Sequence, residues 1–415
     1  MIKRIKITKL DMLATFIIII GPMFTQYSSI SSVILLPELF ILPLLVLYFI
    51  RYKSLSILNL KRYFLYFFIA LLLTLINVLV GTSLNLTVST YAFLRHVFYA
   101  VIIVSIGHKN FNIDYAAKVL IVVALLNSFY GFIQYFAYKL TGIILPWHFD
   151  FLPVKYGTNL IENSTYFFNE FGYRFSGLFS EPAHFSQYVS IALLVILFYK
   201  SDNFNVSRFS KIVVAVVFIL ALLLNGSGTG FAMIVFVMAL FIVNNEKKTF
   251  KNVLLKIFFI VLGIIFLVYI INNQILNVGL DRILSISDLS SGNIRIFRPF
   301  QVFSSLPVLN KIIGIGYANY REYVINSSLA TAYELSINSA WTNTFGYILV
   351  GSGILGFLFY ICFVIYLFKS TKYFYRYLVI LILLFALFTE VPLSFQFITI
   401  MGFINRGSLV RKSAV

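Results

Sequence analysis

The sequence predicts an all-helical, polytopic integral membrane protein, and composition is the first reason. Of its 415 residues 60% are hydrophobic and only 11% are charged, far from the composition of a soluble domain. Apolar runs such as residues 121–138 and 253–271 approach or reach the roughly 20 residues that cross the hydrocarbon core of a bilayer. The placement of positive charge is the third observation.

The apolar runs predict twelve spans in one membrane-embedded domain, residues 1–415. The first span lacks a small-residue cleavage site and is followed at once by the second, so we expect it to be retained. In chain order the spans are about 11–27, 30–50, 63–80, 90–107, 116–138, 184–199, 211–225, 228–244, 253–271, 340–368, 373–389 and 391–405.

The net charge of +18 raises the question of nucleic-acid binding, and the placement of the charge answers it. With both termini in the cytoplasm and sides alternating, 23 of the 32 Lys and Arg lie on the cytoplasmic side and only eight on the outer side. Acidic residues show the reverse bias. This pattern is the positive-inside rule of membrane topology, so no nucleic-acid partner is expected, and the lipid bilayer is the expected surrounding.

Two predicted outer segments are far longer than the other connections. They cover about residues 139–183 and 272–339 and mix aromatic residues, Pro and Gly with charges of both signs. Long ordered loops are usually functional, so we expect a working surface on the outer face of the cytoplasmic membrane.

The first long loop ends in RFSGLFSEPAHFSQY, residues 174–188. Ser180, Glu181 and Pro182 are typical of a helix start. Glu181, His184 and Tyr188 would then share a helix face at the mouth of the sixth span, with Arg174 folding back over it through Gly177. The structural alternative is a capped helix with an interfacial arginine that reaches lipid phosphates.

Arg95 lies about 8 Å inside the fourth span, where an arginine is costly unless it finds a partner or the interface. Glu38, between Pro37 and Pro43 in the second span, lies at a comparable depth. Glu38 is either the partner of Arg95 or a neutral acid within a helix bundle.

The second long loop contains SSGNIRIFRPF (290–300) and GIGYANY (314–320). Arg295 and Arg298 are one helical turn apart, and their guanidinium groups match phosphate oxygens in a two-point geometry. Outer-leaflet lipid phosphate, Asp281 or Asp288 are the structural alternatives as partners. Trp341 marks the interface where the tenth span begins.

Other apparent motifs lack their structural context. GSGILG (351–356) fits a dinucleotide fingerprint but lies inside an apolar span with no preceding strand. NGSGTG (225–230) lacks the lysine of a P-loop and predicts a tight outer turn. Cys362 alone excludes an internal disulfide, and the scattered histidines do not predict a metal site. They are His96, His108, His148 and His184.

These segments together resemble the bacterial O-antigen polymerase and O-antigen ligase superfamily. The stretch with Arg174, Gly177, Glu181 and Pro182 is similar to the Arg-x-x-Gly-x-x-x-Glu-Pro segment of the polymerases. SGTG (227–230) resembles their Ser-Arg-Thr-Gly-like turn, although Gly228 occupies the position where the family frequently has an arginine. Arg295 followed by GIG (314–316) resembles their Arg...Gly-x-Gly segment.

One position departs from the family pattern. Asn343 matches the asparagine of the His-Asn pair that precedes a Gly-x-x-Gly, here Gly353 and Gly356, but Thr342 stands at the histidine position. This departure counts against the ligase activity and gives no catalytic histidine there.

The resemblance implies an inner-membrane glycosyltransferase whose active site faces the periplasm. Donor and acceptor would both be glycans linked to undecaprenyl pyrophosphate, with a chain-length regulator and a flippase as possible partners. Arg174 and Arg295, supported by Arg95 and Arg298, would bind the pyrophosphate.

The remaining roles follow from the chemistry that such a transfer needs. Glu181 or His184 would serve as base, although Glu181 is equally suited to hold Arg174. Asn343 and Trp341 are the candidate acceptor-binding residues. Aromatic residues of both long loops are candidates for stacking on sugar rings, with loop core or interface packing as the alternative; they are Tyr156, Tyr166, Phe167, Tyr173, Tyr317 and Tyr320. Neither a metal nor a cofactor is expected, because pyrophosphate is a good leaving group whose departure needs charge stabilisation. A non-enzymatic flippase or exporter is the third function class.

Overall fold

The computed structural model describes eleven stretches of the chain. They are residues 8–28, 34–52, 61–80, 85–105, 111–154, 173–201, 203–243, 293–331, 334–335, 340–389 and 394–412. The ninth predicted span, 253–271, lies outside them, as do the aromatic residues Tyr156, Tyr166 and Phe167 of the first long loop. Within these stretches the regular elements are helices, so the predicted all-α class is confirmed.

Fourteen α-helices run through the described residues. In chain order they are α1 Lys9–Ile20, α2 Leu36–Tyr52, α3 Lys61–Leu79, α4 Leu86–Ser105, α5 Ile113–Thr141, α6 Pro182–Phe198, α7 Arg208–Leu224, α8 Gly228–Val243, α9 Arg298–Ser305, α10 Val308–Ile313, α11 Tyr320–Ile325, α12 Thr344–Ser370, α13 Phe374–Phe388 and α14 Phe395–Lys412. A 3-10 turn, Gly21–Phe24, extends α1, and a π-helical turn, Asn293–Phe297, precedes α9.

Among the described helices, three are long and apolar enough to cross a membrane. They contain Leu86–Ile103, Ile113–Thr141 and Thr344–Ser370. Other apolar helices are shorter: α6 has 17 residues, which at 1.5 Å per residue makes about 26 Å against a hydrocarbon core of roughly 30 Å. Eleven predicted spans coincide with a described helix, while the number of twelve crossings stays a prediction.

The chain divides into two compact units. Unit 1 contains residues 1–120 and 291–415, and unit 2 contains residues 121–290, with the boundary inside α5. In unit 1, α12 packs along α3 and α10. In unit 2, α6 packs against α7 and α8, and Phe185–Ile196 of α6 are all buried. The single domain predicted from the sequence is not tested by this division.

In unit 1 an irregular segment, residues 314–319, is buried among helices and crosses α12 at a break in that helix. Gly353 interrupts α12 with a φ of 65°, and Gly314 faces it with a φ of 82°. The amide of Ile315 donates to the carbonyl of Val350 over 3.0 Å. A Cβ on Gly314 would overlap the Gly351 carbonyl, and one on Gly353 would overlap the Ile312 carbonyl. Both positions therefore require glycine, because the φ angle is positive and because two backbone segments of the chain approach each other closely there.

Side chains from α3 and α4 satisfy the polar backbone of this crossing segment and of Ile313, the residue immediately before it. Asn77 donates to the Ile313 carbonyl over 3.1 Å and Ser89 to the Tyr317 carbonyl over 2.5 Å, while Thr74 accepts from the Tyr317 amide over 3.0 Å. Irregular backbone in apolar surroundings is stable only when its polar groups are bonded internally. The polar residues of α3 and α4 thus fix the crossing segment.

We predict that Gly353→Ala destabilises unit 1 strongly, whereas Gly351→Ala does not. At Gly353 both positive φ and overlap with a carbonyl oppose a side chain, together costing roughly 2–4 kcal/mol. At Gly351 an added Cβ would lie 3.4–3.5 Å from Gly316, Tyr317 and Ala318, which is ordinary contact. Thermal unfolding of the two purified variants in detergent measures the difference, and equal melting temperatures would contradict the crossing geometry.

Candidate functional site

The Arg174 segment of unit 2 follows a tight turn that α5 holds in place. Gly177 has a φ of 59°. The side chain of Gln134 brackets it, accepting from the Gly177 amide over 2.9 Å and donating to its carbonyl over 3.1 Å. Asn127 accepts from the Leu178 amide over 3.1 Å. A tight turn at Gly177 is therefore present and is fixed by two amide side chains of α5, while the position of Arg174 over the mouth of α6 stays a prediction.

The same segment is held from its other side by the turn between α7 and α8. Asn225 donates to the Phe175 carbonyl over 2.5 Å and accepts from the Ser186 hydroxyl over 2.9 Å. A Cβ on Gly226 would lie 3.6 and 3.7 Å from Cγ and Cδ of Arg174, so the stem of the arginine passes directly over this glycine. Two segments chosen from sequence, about 50 residues apart, are thus in contact.

The predicted helix start at Glu181 and Pro182 is confirmed. Glu181 is the N-cap of α6 with extended backbone, and Pro182 occupies the first turn. The Glu181 carboxylate makes no capping bond to that turn. Glu181 and His184 are half-buried, while Tyr188, on the expected shared face, is fully buried with its ring 5.3 Å from that of Phe179. The base role of Glu181 or His184 stays a prediction.

Tyr173, one of the aromatic residues considered for stacking on sugars, packs against α5. Its ring stacks on Tyr138 with centroids 4.4 Å apart. Burial, with Tyr130 and Tyr138 nearby, raises the pKa of the Tyr173 hydroxyl to about 12. It therefore stays neutral and serves to anchor the segment that precedes Arg174.

In unit 1, Arg95 and Glu38 form the ion pair that was one of two alternatives from sequence. Arg95 Nε lies 2.9 Å from Glu38 Oε1. The carboxylate also accepts from the Tyr99 hydroxyl over 2.8 Å and from the Leu35 amide over 2.8 Å. Glu38 is buried and its charge is compensated by three donors, as a buried carboxylate requires.

A buried contact between His96 and Tyr317 was not predicted. The Tyr317 hydroxyl lies 2.9 Å from His96 Nε2, and His96 Nδ1 lies 2.9 Å from the Ala92 carbonyl. With the tautomer that donates from Nδ1 to Ala92, Nε2 accepts from Tyr317. One indication of such a contact was present in the sequence, because His96 is an ionisable residue inside a predicted span. Its partner Tyr317 lies 221 residues further along the chain. Tyr317 is therefore used in packing, not exposed for sugar binding.

Arg298 is buried and bound through two nitrogens to the carboxylate of Glu334. The structural alternatives from sequence were lipid phosphate, Asp281 or Asp288, and the observed partner is a different acid. Burial by itself lowers the pKa of Arg298, but the hydrogen bond to Glu334, with the further effects of Tyr320 and the Glu334 charge, outweighs it and raises the pKa. The guanidinium stays charged and already has a counter-ion.

The loop that carries Glu334 is folded around the same pair. The amide and hydroxyl of Thr331 both donate to Glu334 over 3.0 Å. Burial raises the pKa of Tyr320 to about 12 despite the Arg298 guanidinium beside it, so its hydroxyl stays neutral. The pair, with its neutral neighbours, anchors the end of the second long loop.

Arg295 binds a different partner from Arg298 although one turn separates them. It is half-buried in the π-helical turn and its Nη1 donates to the Phe388 carbonyl at the end of α13 over 3.0 Å. That contact leaves the arginine on the predicted outer side of unit 1. The meeting of Arg174 with the arginines of unit 1, and the binding of pyrophosphate by any of them, stay predictions.

Asn343 has a clear structural role. It is the N-cap of α12, accepting from the Gly346 amide over 2.7 Å, and it donates weakly to the Leu387 carbonyl over 3.4 Å. Trp341, two residues earlier, is half-buried. An acceptor-binding role for Asn343 and Trp341 stays a prediction; the observed bonds show why an asparagine opens this helix.

No protein-family model matches the chain, and no curated protein matches it.

We predict that Ser186→Ala destabilises unit 2 by about 1–3 kcal/mol, because it removes the donor to the buried carbonyl of the Asn225 amide. Ser190→Ala is the matched control: Ser190 is equally buried, but among the described residues its hydroxyl donates to the Ser186 carbonyl, one turn back in its own helix. The control should change stability by less than about 0.5 kcal/mol. Denaturant unfolding of the purified variants tests this, and two equal losses would refute the bridging role of Ser186.

We predict that Glu334→Ala costs roughly 3–5 kcal/mol, because it leaves Arg298 buried without a counter-charge. Adding Arg298→Met to Glu334→Ala should recover a large part of that loss, since the orphan charge is then gone. Glu322→Gln, in the same loop, is the control. Melting temperatures of the single and double variants decide; a double variant no more stable than the single one would argue against a buried charge pair.

Proposed function

We propose that the protein polymerises oligosaccharide repeat units carried on undecaprenyl pyrophosphate, at the outer face of the bacterial cytoplasmic membrane. The observation that carries the proposal is the docking of the Arg174 segment on the Asn225–Gly226 turn. Both segments belong to the resemblance with O-antigen polymerases, and their contact supports treating them as parts of one functional region. The Gly-x-Gly segment of unit 1, which crosses α12 at its break at Gly353, supports it in the same way.

The reaction joins a hydroxyl of one lipid-linked repeat to the anomeric carbon of another glycan. The new bond forms between that oxygen and the anomeric carbon, and the bond from the anomeric carbon to the pyrophosphate oxygen breaks. The hydroxyl proton passes to a base, with Glu181 or His184 as the candidates. Undecaprenyl pyrophosphate leaves with its charge, and a single displacement inverts the anomeric centre.

Guanidinium groups supply the charge stabilisation that this leaving group needs. Donors that are fixed before the reaction and aimed at developing charge are worth several kcal/mol. Arg174 is the best candidate, because its stem and its backbone neighbours are held on both sides. Arg295 is the second. Arg95 and Arg298, each bound to a carboxylate, serve better as structural supports than as phosphate ligands.

A glycan ligase and a flippase are the competing functions. Thr342 at the position of the ligase histidine disfavours the first. The second predicts charges that line a central path, whereas Arg95 and Arg298 are neutralised locally by Glu38 and Glu334. Polymerisation therefore accounts best for the residues described above.

We predict that Arg174→Ala and Arg295→Ala each reduce long surface glycan by about a hundredfold or more, while the protein still inserts. Arg174→Lys should restore little, because lysine lacks the two-point geometry. The measurement is gel analysis of surface glycan in cells that lack the chromosomal gene and carry each variant.

Arg321→Ala is the matched control, an exposed arginine of the same long loop as Arg295, and should give normal chains. Deletion of the gene should collapse the ladder of surface glycan on the gel to a single repeat. Unattached long chains would indicate a ligase, and lipid-linked glycan confined to the inner leaflet would indicate a flippase. Normal chain lengths in both alanine variants would overturn the site assignment.

A further inference from the structure

The outer end of α5 carries a second polar and aromatic cluster that the reaction above does not use. It is the loop Trp147–Phe151, with sequence WHFDF, which follows the end of α5 at Thr141. We call it the WHFDF loop. Its side chains combine flat aromatic rings with a carboxylate that points into solvent.

The WHFDF loop is fixed next to the Arg174 segment by one side chain of α5. Gln134, which brackets Gly177, also donates to the Pro146 carbonyl over 3.1 Å, and the Tyr130 hydroxyl donates to the same carbonyl over 2.6 Å. The side-chain amide of Gln134 therefore bonds both the Arg174 segment and the residue that precedes the WHFDF loop.

Within the loop, His148 orients the acid. Its Nε2 lies 3.1 Å from Oδ1 of Asp150, so Nε2–H donates to the carboxylate. The His148 side chain is only 16% exposed, whereas that of Asp150 is 90% exposed. The Trp147 ring packs on the imidazole with centroids 4.7 Å apart. Nδ1 of His148 is buried and has no hydrogen-bond partner among the described residues.

Aromatic residues flank Asp150 in the sequence of the loop, and one of them is strongly exposed. The rings of Phe149 and Phe151 lie 5.5 Å apart at 31°, and Phe151 is 81% exposed. Trp147 is partly exposed. Such rings present apolar faces, and the exposed carboxylate of Asp150 is a strong acceptor that hydroxyl donors can reach.

A pyranose ring has the complementary chemistry. One face is a patch of C–H groups, which packs on an aromatic ring, and the rim carries hydroxyl donors, which bind a carboxylate. A lipid surface fits less well: an exposed carboxylate in the same five-residue loop opposes insertion into hydrocarbon and is repelled by anionic headgroups. The charge of Asp150 therefore favours a sugar, rather than a lipid surface, as the ligand of this loop.

We propose that the WHFDF loop is a glycan-binding subsite that holds the acceptor sugar. Trp147 and Phe151 stack on a pyranose ring, the Asp150 carboxylate accepts hydrogen bonds from vicinal hydroxyls, and His148 is a positioning residue that sets the carboxylate. The subsite rests on the proposed polymerase function for its place in a reaction, and it brings the acceptor glycan beside the Arg174 segment.

The test uses the full-length protein in phosphatidylcholine nanodiscs. The probes are free oligosaccharides of one and two repeats, released by mild acid from the surface glycan of the source bacterium, with binding measured by calorimetry. We expect Trp147→Ala and Asp150→Asn each to weaken binding about tenfold, the loss of a stacking surface or of a charged acceptor. Trp147→Phe, which keeps a ring, should stay within about threefold, and Glu322→Gln is the carboxylate control.

The positioning role of His148 has its own readout. His148→Ala should weaken binding in the wild-type background but add nothing in the Asp150→Asn background, because it acts only through that carboxylate. A merely structural histidine would lower the melting temperature by the same amount in both backgrounds and leave the two binding losses additive. Additive losses would remove His148 from the subsite.

Three results would each overturn the subsite. The first is wild-type protein that binds neither oligosaccharide up to about 10 mM. The second is binding that the Asp150 and Trp147 variants leave intact. The third is strong quenching of Trp147 fluorescence, taken as the difference between the wild type and Trp147→Phe, by brominated phosphatidylcholine, which would make Trp147 a membrane anchor.

The outcomes also separate this inference from the polymerase function. Arg174→Ala should bind free oligosaccharide like the wild type while making no long chains. Oligosaccharide binding with the expected variant losses, in a protein whose deletion leaves chain length unchanged, would keep the subsite and remove the polymerase. Normal binding in the loop variants together with chain loss in Arg174→Ala would do the opposite.

Discussion

The structure depends on one constraint: irregular backbone packed among apolar helices must have its polar groups bonded by the protein itself. In unit 1, Thr74, Asn77 and Ser89 supply those bonds to the segment that crosses α12. In unit 2, Gln134 and Asn225 supply them to the Arg174 segment. The polar residues of otherwise apolar helices are therefore the ones that place the loops.

Charge follows the same rule. Arg95 with Glu38, and Arg298 with Glu334, are pairs whose members are largely withdrawn from water. Each member is tolerated because the other is present. This local neutralisation separates the arginines into two groups. Those bound to acids stabilise the fold, and the proposal for phosphate binding concentrates on Arg174 and Arg295.

Local features of the fold were predictable from the sequence, because short-range chemistry decides them. The start of α6 at Glu181 and Pro182 and the turn at Gly177 follow from residues within a few positions. The pairing of Arg95 with Glu38 was one of two alternatives, since both lay at similar depth. The partner of Arg298 and the contact of His96 with Tyr317 were not predictable, because they join segments distant in sequence. The break of α12 at Gly353 was not predictable, because the glycine lies in an apolar run where it is equally typical of close helix packing.

The proposed function requires glycosyl transfer by this chain from a lipid-linked donor. The most direct measurement is reconstitution of the purified protein in liposomes with undecaprenyl-pyrophosphate-linked repeat units, followed by analysis of the glycan and of the released carrier. We expect a ladder of chains in which one undecaprenyl pyrophosphate is released for each new linkage and the anomeric configuration is inverted. A folded protein that leaves the repeat units single, or one that retains the donor configuration in the product, would contradict the proposal.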